Sequence, residues 1–181
     1  MNKSISFVLF VCSILVLGIN NETTYANSND KPQPLEEIYP KIGYKTAEEA
    51  IKDFERHFKQ NLELPLRIPP INFTHNFGRF SDLDGDVNDS LEVIFVNDKS
   101  PQNHYKIDVR PVKDKIPISD KYVLRNYTLK NKNKALYMNI SGLNVLAFET
   151  DNWQYMLGID KRVSDKVTPE VLVEIANSIN R

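Results

Sequence analysis

A single cysteine, Cys12, in 181 residues leaves no room for an internal disulfide, a CxxC…CxxC zinc site or a dithiol redox pair. Glycine is nearly as scarce, with six residues. None of them builds a phosphate-cradling loop or a G-x-S-x-G elbow. Charge of one sign is also lacking, since 23 Lys and Arg face 24 Asp and Glu for a net charge of −1. Neutralising phosphates takes a cationic excess, so nucleic acid is not an expected partner. The three histidines form no HExxH and no metal-ligand spacing. No apolar run reaches the ~20 residues of a membrane span.

What is present begins with an unusual N-terminus. Lys3 precedes a nearly continuous apolar stretch, Ile5 to Ile19, and polar residues resume at Asn20, Asn21 and Glu22. This is the layout of a secretory signal, with Thr24-Tyr25-Ala26 as the cleavage site and Asn27 as the new N-terminus. Cys12 does not make a lipid-attachment site, because apolar Ile14 to Leu17 would then begin the mature chain. Removing residues 1–26 also removes the cysteine, which excludes thiol catalysis and suits an oxidising exterior. The expected location is secreted or in the cell-wall space.

Residues 27–45, with Pro32, Pro34 and Pro40 among polar neighbours, read as a flexible leader. A domain is expected over 46–181. Thr46 and Glu49 form a T-x-x-E capping box, followed by Ala50, Ile51, Phe54, Phe58 and Leu62 at helical spacing, with Pro65 as the stop. From Ile71 the apolar period drops to two. Ile71, Phe73, His75 and Phe77 share one side of a strand, which makes His75 core-facing, and Leu91, Val93 and Phe95 share one side of its hairpin partner. Further strands read at 104–110, 122–130, 135–140, 143–149 and 153–160, the last four joined by short polar turns. Thr168 and Pro169 open a final helix with an apolar stripe of Leu172, Ile175, Ala176 and Ile179. The fold class expected is α+β: an antiparallel meander sheet of about seven strands flanked by an N-terminal and a C-terminal helix.

Two constellations carry chemistry. In Ser81-Asp82-Leu83-Asp84-Gly85-Asp86-Val87-Asn88-Asp89, alternating Asp82, Asp84 and Asp86, with Asn88, can converge oxygen ligands on calcium. The departures are Val87 in place of a glycine and Glu92, which falls one position short of a twelfth-residue ligand. The plain alternative is a solvated acidic hairpin tip. A curved sheet closed in part by two helices can also leave an apolar groove, with Phe73, His75, Phe77 and Tyr155 as its expected ligand-binding residues.

The C-terminal third contains Leu146-Ala147-Phe148-Glu149, Trp153-Gln154-Tyr155 and a helix ending Ile175-Ala176-Asn177-Ser178-Ile179. Over about residues 120–181 this resembles an uncharacterised domain of exported proteins from Gram-positive spore-forming bacteria, itself distantly similar to the half-barrels of lipoprotein carriers and envelope-stress sensors. The resemblance implies an envelope-facing binding or regulatory module and brings no catalytic residues. The function expected is therefore an exported, non-enzymatic binding or structural module that takes an apolar ligand, a lipid or a protein partner at the cell envelope. The second reading is a secreted calcium-dependent hydrolase. An apolar groove would favour the first, and carboxylates clustered beside a buried histidine would favour the second.

Overall fold

The computed structural model describes residues 33–83 and 88–179. The expected signal segment with Cys12, and Asp84 and Asp86 of the acidic loop, lie outside the described residues.

Thr46 starts a helix as its sequence dictates. Its hydroxyl accepts from the Glu49 N–H at 3.2 Å, and the Glu49 carboxylate accepts from the Thr46 N–H at 3.2 Å. These reciprocal bonds satisfy two of the helix's orphan donors. The helix, α2 (Ala47–Phe58), ends well before Pro65, because Lys59 takes a left-handed conformation and its N–H bonds back to Glu55 O. Seven strands follow: β1 (His75–Ser81), β2 (Ser90–Val96), β3 (His104–Pro111), β4 (Val123–Thr128), β5 (Lys134–Ile140), β6 (Leu143–Glu149) and β7 (Trp153–Asp160). The last helix is α3 (Pro169–Ala176), with Pro169 in its first turn. Thr168 sits at its N-cap, but its side chain makes no capping hydrogen bond.

All seven strands form one antiparallel sheet in the order β1-β2-β3-β7-β6-β5-β4, so the α+β expectation stands and the simple meander does not. The sheet is two meanders, β1–β3 and β4–β7, joined where β3 pairs with β7. The physical reason lies in burial. Every residue of β7 except Asp160 is buried, and β3 is buried from Ile107 to Pro111. Strands covered on both faces belong in the middle of a sheet. The link that makes this possible, residues 112–122, runs across β7 and is tied to it. Gln154, buried in the sheet, accepts from the Ile116 N–H at 2.8 Å and donates to Ile116 O at 3.0 Å.

Both helices lie on one face. Ala50 and Phe54 of α2, with Leu172 and Ile175 of α3, share a core with Leu91, Val93, Tyr105, Ile107, Leu146, Phe148, Trp153, Tyr155, Leu157 and Ile159. The alternating row Trp153, Tyr155, Leu157 and Ile159 is buried, as its spacing predicts. Gly78 of β1 lets α2 come this close. A Cβ there would stand 2.7 Å from Ala50 Cβ and 2.8 Å from Ala47 Cα.

The N-terminal boundary differs from the sequence reading. The compact unit begins at Leu35, and residues 35–41 form a short helix, α1 (Leu35–Lys41), in what reads as leader. Tertiary contacts account for it: Tyr39 stacks on Phe77 with ring centres 4.5 Å apart. Lys45 then exchanges two backbone hydrogen bonds with Gly78, of 2.8 and 2.9 Å, on the outer side of β1. That contact blunts one edge of the sheet, while a register shift between Val123 and Arg125 interrupts the other. β1 itself starts only at His75, so Ile71 and Phe73 precede the strand.

Candidate functional site

The four expected ligand-binding residues do not converge. Phe73 and Tyr155 are on the helix-covered side, where Phe73 packs near Phe95 and Tyr105 and Tyr155 is buried with its hydroxyl donating to Glu63 O at 2.9 Å. Burial pushes the Tyr155 phenol further up, so it stays neutral. Phe77 and His75 occupy the opposite side. The His75 ring stacks on Phe77 and its Nε2 lies 2.8 Å from a Glu36 carboxylate oxygen. His75 is thus not a core histidine. Gly78 and Phe80 hold the core-facing register of β1, which shifts the row beginning at His75 to the far side.

On that far side, charges of alternating sign cross the sheet. Arg79 Nη2 is 3.3 Å from Glu92, which also receives Tyr44 and Lys106, and Lys106 Nζ is 3.3 Å from Asp108. Burial alone would lower the Lys106 ammonium, but the Asp108 and Glu92 carboxylates beside it hold it above its ordinary value. Burial pushes the Asp108 carboxyl up to about 6 against the pull of Lys106, and burial lowers Arg110 beside it. The row pairs opposite charges across β1, β2 and β3.

The acidic loop folds against a partner that the sequence does not announce. His57, in the last turn of α2, sits between two aspartates: Nε2 is 3.1 Å from Asp89 Oδ2 and Nδ1 is 4.0 Å from Asp82 Oδ2. Asp53, one turn before His57 on α2, is engaged by Lys45 and Arg56. Asn88 is exposed at φ 72° and turns the chain so that Asp89 is completely buried. Of the residues expected to ligate metal, Asp82 therefore meets His57 and Asp89, neither of which the alternating pattern includes. Their pairing depends on α2 docking on β1, a tertiary event without a local signal.

A cleft of about 550 Å³ opens at the end of the sheet where the chain after α2, the β6–β7 turn and the end of α3 meet. Its lining includes five asparagines, Asn61, Asn131, Asn133, Asn152 and Asn177, and the carboxylates of Glu63 and Asp151, with the nearly buried rings of Phe148, Trp153 and Tyr155 beneath. Trp153 Nε1 donates to Asn61 O at 3.3 Å, which together with Tyr155 fastens the 59–65 segment as one wall. Lys130 N–H donates to Asn177 Oδ1 at 2.7 Å, and Asn133 Nδ2 donates to Glu149 O at 2.7 Å, fixing the opposite wall. Asn61 and Asn152 are exposed at the rim. Among the described residues no helix is long and apolar enough to cross a membrane.

Comparison with known proteins returns no family model, no curated protein and no solved structure that matches this chain.

Proposed function

We propose that this is an exported binding module of the cell envelope whose ligand is a neutral, hydrogen-bonding chain, a segment of wall glycan, held in the asparagine-lined cleft. The observation that carries this reading is the cleft's lining, five side-chain amides beside the carboxylates of Glu63 and Asp151, which disfavour an anionic ligand. Amides both donate and accept, which suits hydroxyl and acetamido groups. The volume lies within the ~300–1,000 Å³ usual for ligand sites. The secretory layout of residues 1–26 and the resemblance of residues 120–181 to exported domains point the same way. A polar cleft takes the place of the apolar groove as the binding surface in this reading, because Phe73 is spent in the core and Phe77 faces away from it.

Trp153 is the only tryptophan in the chain and lines the cleft, so a ligand seated there should alter its fluorescence. The protein recovered from culture medium, whose sequenced N-terminus is expected at Asn27, is titrated with soluble wall-glycan fragments. The expected result is a saturable change in Trp153 emission, weakened about three- to tenfold in Asn61→Ala and in Asn152→Ala, the worth of one hydrogen bond each. Emission that never saturates, or an affinity indifferent to both substitutions, would reject the cleft as a glycan site.

A further inference from the structure

The geometry points to a second site, independent of the cleft: a centre for a zinc-type divalent ion formed by His57, Asp82 and Asp89. One ligand atom from each of the three lies within 4.8 Å of the others. Ligand atoms around a tetrahedral zinc, each about 2.0–2.2 Å from the metal, stand roughly 3.3 Å apart. The 3.1 Å between His57 Nε2 and Asp89 Oδ2 is already close to that separation, and exposed Asp82, now 4.0 Å from Nδ1, would have to swing to the Nε2 side to complete the set.

Proximity alone would describe an imidazolium between two carboxylates, and Asp89 is what favours a metal. It is 0% exposed, yet its Oδ2 has no hydrogen-bond partner among the described residues. Its contact with His57 has the distance of a bond without the alignment. A buried carboxylate oxygen without a hydrogen bond is expensive, and most buried polar atoms in folded proteins have a partner. A cation at that oxygen would remove the cost. The other oxygen, Oδ1, accepts the Leu83 N–H at 2.7 Å, so the carboxylate is held with Oδ2 aimed at the imidazole. Ligating carboxylates are commonly oriented by such a second hydrogen bond. The His57 ring is fixed in turn, edge-on to Phe58 and tilted against Phe80, with ring centres at 4.6 and 5.1 Å.

The donor set selects the class of ion. Calcium takes oxygen ligands, whereas imidazole with carboxylates suits zinc and its first-row neighbours. This site therefore differs from the calcium loop expected from Asp82, Asp84, Asp86 and Asn88, sharing only Asp82 with it. Three protein ligands leave a fourth position for water or an external donor. The ion would also tie the end of α2 to both ends of the β1–β2 loop.

Equilibrium dialysis of the full chain against zinc and against calcium, with metal content measured, tests the inference. The expected result is one zinc per chain, little calcium, and visible d–d absorption when cobalt replaces zinc. Asp82 is exposed, so Asp82→Asn should fold normally and bind zinc at least tenfold more weakly. His57→Gln, checked for fold by circular dichroism, should lose the cobalt spectrum. Substoichiometric zinc, a preference for calcium, or zinc binding unchanged in Asp82→Asn would each overturn the site and leave His57 as an ion-pair partner.

Discussion

Asp108 is a carboxylic acid whose burial shows in its titration. Burial raises its carboxyl from 3.8 to about 6, with Lys106 opposing the shift and Glu92 adding to it. Between those values the folded protein holds a proton that the unfolded chain has released. The contribution to stability is therefore fully present below about pH 4 and is lost as the pH rises through 6. Half-buried carboxylates such as Asp53 and Asp160 have the opposite sign: the Lys45 and Arg162 side chains that hydrogen-bond to them hold them low, and their contributions fade as the pH falls. Comparing wild type with Asp108→Asn separates the two. The stability of the variant minus that of wild type should rise by roughly 1–3 kcal/mol from pH 4 to pH 7, following the size of the shift. Urea unfolding at four pH values measures it, and a flat or falling difference would mean that Asp108 titrates as an ordinary surface acid.

At the scale of elements, the contact between α2 and β1 is set by Gly78. A methyl group there meets Ala50 Cβ at 2.7 Å and Ala47 Cα at 2.8 Å. Gly78→Ala should therefore destabilise the fold by about 1–3 kcal/mol, the usual cost of overpacking. Ala50→Gly in the same chain removes only one obstacle, since the Ala47 Cα is backbone, so rescue should be incomplete in chemical denaturation. Full rescue would place the clash on Ala50 alone. The same contact explains what could be read from the sequence. β2 to β7 were legible to within a few residues because each alternates and is bounded by turn residues. The Ser141-Gly142 turn, with φ of 49° and 84°, is the two-residue connector that its sequence suggests. α1 was not legible, because a proline-containing polar stretch becomes helical here only with Phe77 beneath Tyr39. The metal candidates were half legible: Asp82 belongs to a visible acidic run, but His57 and Asp89 meet only after α2 is seated.

At the scale of the whole molecule, the strand order makes the two meanders depend on each other. Neither β1–β3 nor β4–β7 closes a core alone, since Tyr105, Ile107 and Val109 lie directly opposite Ile159, Leu157 and Tyr155 across the β3–β7 seam. α2 reaches over that seam as well: Phe54 and Phe58 of the first half pack on Trp153 of the second, with ring centres at 4.9 and 5.5 Å. A chain built this way should unfold as one unit, with Trp153 fluorescence and far-ultraviolet circular dichroism giving the same transition. Leu157 is 0% exposed beside Ile107 and Leu146. Truncating it to alanine should cost about 2–5 kcal/mol, the transfer and cavity terms together. Because the seam is shared, Leu157→Ala should move both probes to the same lower midpoint with the slope unchanged. If fluorescence shifted ahead of circular dichroism, the two meanders would be separable folding units and the β3–β7 pairing a docking surface between them instead of the centre of one sheet.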